Sequence, residues 1–113
     1  MTAKNILIQA PPYQVERTIK RLGSNLRTAR LRRNLTIGDV AEKIGTGPRA
    51  VSDAEKGKVS TGIAVYIALL WAYDLLGQMS EIADPAFDEE GLSLSLSKDR
   101  ARARAKEGLD NDF

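Results

Sequence analysis

Apolar residues recur along this chain with two different periods. Val15, Ile19, Leu22, Leu26 and Ala29 follow one another at steps of four, three, four and three, which lays them along one face of a helix. Gly23 inside that run weakens a helix by roughly 1 kcal/mol relative to Ala, so a break there stays open. Asn34 supplies a left-handed stop. Thr36 then caps a second helix, with Asp39 in the acidic position of a capping box and Ile37, Val40, Ala41 and Ile44 on its buried side. Gly45-Thr46-Gly47 gives a tight turn two flexible positions, and Pro48 suits the first turn of a third helix. Gly57 stops that helix after about Lys56. A fourth begins after Ser60-Thr61 and carries Ile63, Ala64, Ile67, Ala68, Leu70, Trp71 and Leu75, apolar almost all round. It is expected to be the central, most buried helix, with Trp71 in the core. Gln78 to Ala83 adds a short fifth helix before Asp84-Pro85 ends it.

Beyond that point the period changes. Leu92-Ser93-Leu94-Ser95-Leu96-Ser97 alternates strictly by two, the pattern of a strand with one apolar face. A lone strand needs a partner, so it pairs with its copy in a second subunit, pairs with the apolar Ile6-Leu7-Ile8 of the amino-terminal arm, or stays unfolded. The first option makes Leu92, Leu94 and Leu96 a dimerisation strand near a twofold axis. Pro11-Pro12 holds the arm extended ahead of the first helix. The organisation read from these signals is an arm over 1–12, a helical domain over 13–83, a linker and dimerisation strand over 84–97, and a charged, disordered tail over 98–113.

A length of 113 residues with 42% hydrophobic content suits one compact core. No stretch reaches the roughly 18 to 20 apolar residues of a membrane span, and Met1 to Ala10 has no signal-peptide pattern, so a cytoplasmic protein is expected. The chain has no cysteine and no histidine. Thiolate and imidazole metal sites, Ser-His-Asp triads and cysteine nucleophiles are thereby excluded, and no metal or other cofactor is expected. The net charge of +2 hides a segregated distribution. Seven bases and no acid lie between Arg17 and Arg33, four acids and no base between Asp84 and Glu90, and five bases against one acid between Lys98 and Lys106. Such segregation suits a polyanion partner, although solvated helix faces would look the same.

Helix, turn and short helix from Thr36 to Lys56 have the dimensions of a helix-turn-helix, whose second member enters the major groove of DNA. Further residues sharpen the outline. The run LRTARLRRNLTIGDVAEKIGTGPRAVSDAEKGK resembles the Cro and lambda-repressor class of helix-turn-helix proteins, the XRE family. Likeness is carried by Ala29-Arg30-Leu31-Arg32-Arg33, Leu35-Thr36, Val40-Ala41-Glu42-Lys43-Ile44-Gly45 and Glu55-Lys56-Gly57-Lys58, and it extends from Leu22 to about Ile82. The whole chain is similar to a narrower group, the HipB-like antitoxins encoded beside HipA-type kinases, through Val51 to Lys58, Ile63-Ala64-Val65-Tyr66, Ala83-Asp84-Pro85 and the basic tail. What the resemblance implies is an all-α, five-helix lambda-repressor-like domain in a homodimer, to which the LSLSLS pattern adds a carboxy-terminal strand paired across the two copies. It also implies a repressor of its own operon that restrains a HipA-like kinase, and no enzymatic activity.

The resemblance implies roles for individual residues as well. Pro48, Arg49, Ser52 and Asp53 stand where side chains of the family meet base edges. Arg49 is the foremost reader, since its planar fork fits guanine O6 and N7 together. Thr36, Ile37, Gly47, Lys56, Lys58, Ser60 and Thr61 lie at helix ends and in the following loop, where phosphate contacts are expected. Arg30 and Glu55 match an ion pair between the first and third helices. Three departures from the family pattern stand out: Ile37 and Pro48 replace polar residues, and Ala54 replaces a large apolar one, leaving space for Trp71 or Tyr66 to fill. In the tail, Arg100, Arg102 and Arg104 would line one side of an extended chain and Phe113 would anchor it in a partner's pocket. Two other readings remain: a protein-interaction module that has lost DNA binding, or a stand-alone XRE repressor. A remote enzyme reading would rest on Asp84, Asp88, Glu89 and Glu90.

Overall fold

A computed structural model describes residues 5–111, all of them in helices, turns and loops. The order of elements is α1 (Ile6–Gln9), α2 (Tyr13–Arg32), α3 (Ile37–Ile44), α4 (Pro48–Glu55) and α5 (Ile63–Ala72), then two 3-10 segments (Leu76–Glu81 and Pro85–Phe87), and α6 (Glu89–Asn111). The chain divides into two compact units, Met1–Gly77 and Gln78–Phe113.

In the first unit α2 runs unbroken through Gly23. Rather than weakening the helix to a break, that glycine brings it against α4. A methyl group built there would press into the carbonyl oxygens of Ala54 and Glu55, and one built on Gly57, whose φ is +68°, would press into the backbone of Lys20. Two glycines thus let α2 touch the end of α4 backbone to backbone. Ala54 is fully buried, and of the two aromatic residues expected to fill the space beside it Tyr66 is buried while Trp71 is exposed. Asn34 adopts φ 55°, and the next amide, that of Leu35, reaches back to the Arg30 carbonyl at 3.3 Å, ending α2 as its side chain favours.

The core of this unit holds Leu26, Val40, Val51, Leu69 and Tyr73. Trp71 is not in it. The indole is 52% exposed, and the core position falls to Tyr73, just past the helix, at 0%. The reason is the phase of α5: Tyr66, Leu69, Leu70 and Ala72 face inward, while Ile63 and Trp71 lie on the opposite side. A ten-residue helix packed on α3 and α4 has one face left over, so α5 is not buried all round.

In the second unit two expectations are corrected. Leu76–Glu81 is a 3-10 segment, not the α-helix expected over Gln78 to Ala83. More consequentially, Leu92 to Ser97 is not a strand but part of the 23-residue α6, and the tail continues the same helix to Asn111. Propensity explains the outcome. Between Glu89 and Gly108 there is no β-branched residue, and Leu, Ala, Arg, Lys and Glu predominate. Asp88 begins the helix by accepting from the Gly91 amide at 3.0 Å. As helix, Leu92 and Leu96 share a face and Leu94 points to the other side, so a strand pair through these leucines does not form. Arg100, Arg102 and Arg104 are spread around the helix instead of lining one side. Phe113 lies outside the described residues. Ile6 to Ile8, the other candidate strand, is a single helical turn capped by the Asn5 side chain.

Candidate nucleic-acid interface

The geometry of the interface begins with how α3 and α4 are joined. Thr36 Oγ1 accepts from the Asp39 amide and the Asp39 carboxylate accepts from the Thr36 amide, each at 3.0 Å, closing the capping box. These hydrogen bonds hold the Asp39 carboxyl below its ordinary range. At the other end Gly45 takes the left-handed conformation at φ 78°, and the Thr46 amide reaches back to the Ala41 carbonyl at 2.9 Å. Gly47 is extended and Pro48 starts α4 at once.

What holds α4 in place lies on its inner side. Val51, Ala54 and Glu55 are buried. Arg30 of α2 meets Glu55 through two parallel bonds, Nε to Oε2 at 2.7 Å and Nη2 to Oε1 at 3.0 Å, and its remaining nitrogen donates to the Leu35 carbonyl at 2.9 Å. Both side chains are almost wholly removed from water. The Glu55 hydrogen bond raises the Arg30 pKa further, against the opposing effect of burial. A bidentate pair fixes direction as well as distance, so the pair sets the angle between α2 and α4.

The outer side of α4 carries Arg49, Ser52, Asp53 and Lys56 at i, i+3, i+4 and i+7, which is one stripe of a helix. Arg49 and Lys56 are exposed and have no partner among the described residues; Ser52 and Asp53 are half-buried. Chain order, turn, clamp and outward stripe together describe a helix-turn-helix, and a family model for the helix-turn-helix domain matches residues 21–81, more than half of the chain. The chain belongs to the helix-turn-helix domain family. Neither a curated protein nor a solved structure gives a significant match.

Membership in the helix-turn-helix family, of XRE-like type, points to a DNA-binding regulator and to a class that is typically non-enzymatic. No helix among the described residues is long and apolar enough to cross a membrane. Around the recognition helix the structure sorts the remaining sequence candidates. Gly47 and Pro48 are exposed and Pro48 brings no donor; Ile37 is half-buried, so only its backbone amide could serve a phosphate. Thr36 still has its hydroxyl proton to give. Lys58 is exposed but leans on Asp53 at 3.7 Å, which partly spends both charges. Ser60 is exposed. Thr61 is half-buried, with its hydroxyl turned inward beside Tyr66. Burial pushes the Tyr66 phenol pKa up, and its hydroxyl donates to the Lys58 carbonyl at 3.4 Å, tying down the loop after α4.

Two cations have structural roles: in the sequence Arg33 counts only as charge and Lys43 only as part of the family likeness. Arg33 donates to the carbonyls of Ala29 and Tyr73, both at 2.9 Å, with its guanidinium 5.5 Å from the Tyr73 ring centre. Lys43 donates to the Ala72 carbonyl at 3.3 Å and lies 5.7 Å from the centre of the Trp71 ring. Both occupy the negative end of α5, where orphan carbonyls need donors. No pattern in the sequence marks them, because the carbonyls they reach at the end of α5 lie 40 and 29 residues away. Two acids of the enzyme reading are also structural, since Asp84 accepts from the Ala86 amide at 2.9 Å and Asp88 from that of Gly91 at 3.0 Å.

Proposed function

We propose that this chain is a sequence-specific transcriptional repressor that binds its operator as a homodimer, and that it serves as the antitoxin of a HipBA-type operon. The observation that carries the DNA-binding part is the free outer stripe of α4, with Arg49 unpaired on a recognition helix clamped from behind by Arg30 and Glu55. Arg49, Ser52 and Asp53 read base edges, with Pro48 in apolar contact. Thr36, the backbone amides of Ile37 and Gly47, and Lys56, Lys58 and Ser60 hold phosphates. The antitoxin part is supported by the likeness of Val51 to Lys58 and of Ala83-Asp84-Pro85 to HipB-like proteins. It assigns the basic half of α6, with Arg100, Arg102 and Arg104, to contact with a HipA-like kinase.

Titration of the DNA upstream of the gene at several salt concentrations tests the reading. Affinity must fall steeply with salt, Arg49→Ala must relax preference at one base pair by about 1 to 3 kcal/mol, and Lys56→Ala must weaken all sequences and flatten the salt slope by about one charge. Lys58→Ala flattens it less, because Asp53 already holds that ammonium. An Arg49→Ala profile identical to wild type would oppose base reading. Co-expression with a kinase encoded beside the gene tests the antitoxin part, which falls if the two proteins do not copurify. A second reading, a protein-interaction module without DNA binding, is favoured by Ile37 and Pro48, which offer no side-chain donor, and by the Asp53–Lys58 pair; salt-independent or absent DNA binding would establish it.

A further inference from the structure

The outer face of α2 remains unexplained by the recognition helix. Arg17, Arg21, Arg27 and Arg32 are all exposed, and none has an acidic partner among the described residues. At 100° per residue they fall within about 140° of arc and span roughly 22 Å of helix. Tyr13 and Leu31, exposed apolar residues, lie on the same face near its two ends. A row of arginines flanked by exposed apolar side chains matches an acidic protein surface that carries apolar residues of its own.

A segment of the required chemistry is present in the chain itself. Between Glu81 and Glu90 there are five acids and no base, and the segment's large apolar residues, Ile82 and Phe87, are 63% and 70% exposed. Two of the acids cap helices, but they do so against backbone amides, which leaves the negative charge uncompensated.

We propose that the acidic 81–90 segment of one copy docks on the outer face of α2 of a second copy, with Ile82 and Phe87 together against one apolar end of that face. The contact occurs twice around a twofold axis, each copy giving one face and one segment. It rests on the homodimer reading and replaces the strand pair as the interface. Apolar burial supplies affinity, while the segregated charges supply register and partner choice.

A charge-exchange experiment decides it, with mass measured by sedimentation and helicity by circular dichroism. Arg17→Glu/Arg21→Glu/Arg27→Glu makes a basic face acidic, and Glu81→Lys/Glu89→Lys/Glu90→Lys makes an acidic segment basic while sparing the capping aspartates. Each triple variant alone confronts like charges twice and should dimerise at least 100-fold more weakly with helicity kept. Mixed together they confront opposite charges twice and should form a heterodimer. A monomeric wild type would overturn the homodimer reading along with this interface. A dimeric wild type whose two variants stay dimeric, or whose mixture fails to associate, would overturn the interface alone. If the first variant remains dimeric and instead flattens the salt dependence of DNA binding, the face is a phosphate contact and the proposal is likewise overturned.

Discussion

Replacing Arg30 by Met removes one half of the clamp behind the recognition helix and strands the other half. The Glu55 carboxylate would then sit with its side chain 5% exposed and without the two bonds at 2.7 and 3.0 Å that satisfy it, and the Leu35 carbonyl would lose its donor as well. An uncompensated buried charge typically costs about 3 to 5 kcal/mol. That is a large part of the roughly 5 to 15 kcal/mol that holds a domain together. In the double variant Arg30→Met/Glu55→Met no charge is left behind, and two apolar chains of similar length fill the space. What remains is the bare Leu35 carbonyl, at about 1 to 3 kcal/mol, offset by the desolvation no longer paid. The double variant should therefore be more stable than Arg30→Met alone by at least 2 kcal/mol, a coupling that urea denaturation of the four proteins measures directly. Simple addition of the two single effects, or an Arg30→Met cost under about 1 kcal/mol, would refute the view of the pair as a buried clamp. Even if stable, the double variant should bind operator more weakly than wild type, because nothing directional then fixes α4 on α2.

Gly23→Ala should destabilise by about 1 to 3 kcal/mol, although an exposed helical glycine would gain up to about 1 kcal/mol from the same change, because the added methyl meets backbone rather than a movable side chain. Urea midpoints show the sign, and a stabilised variant would mean that α2 and α4 are not in backbone contact. Asp39 has its pKa lowered in the folded protein, so its stabilising effect is complete above the ordinary value of 3.8 and is lost as pH falls through the folded value. Asp39→Asn should consequently lie below wild type at neutral pH and converge with it in acid; a gap that persists unchanged at low pH would contradict the capping-box assignment.

The parts of the fold legible in the sequence are those in which one residue type answers a local geometric demand. Asn34 and Gly57 stop helices in the left-handed region, Thr36 and Asp39 close a box across three residues, and Pro48 opens α4. Each of these signals is decided within one turn of chain. Gly23 was legible only as a weak point, since its use depends on Ala54 and Glu55, which lie thirty positions on and become neighbours only after α2 and α4 pack. Trp71 was expected in the core and lies outside it for a similar reason. Size and hydrophobicity favour the indole for the core, but the phase of α5, set by contacts with α3 and α4, places the phenol there.

Leu92 to Ser97 shows why a period is not sufficient by itself. Alternation by two says which residues would share a face if a strand formed, yet it does not supply the second strand that the backbone amides of the first require. Within a helix those amides are satisfied by the segment's own carbonyls, and the composition from Glu89 to Gly108 favours that choice at nearly every position. The price is that α6 gains no core of its own: Leu92, Leu94 and Leu96 remain exposed, on two sides of one helix. A 23-residue helix in that state exceeds the length at which isolated helices become marginal in water, but it has few apolar contacts to add. Its charges suit the helix dipole only at the start, where Glu89 and Glu90 occupy the first turn, since the bases between Lys98 and Lys106 stop short of a last turn that has none. The same segregation that looked in sequence like a mark of polyanion binding thus has separate uses in the structure: Arg33 closes α5, Arg30 clamps α4, and only the unpaired bases of α2 and α6 are left over for partners.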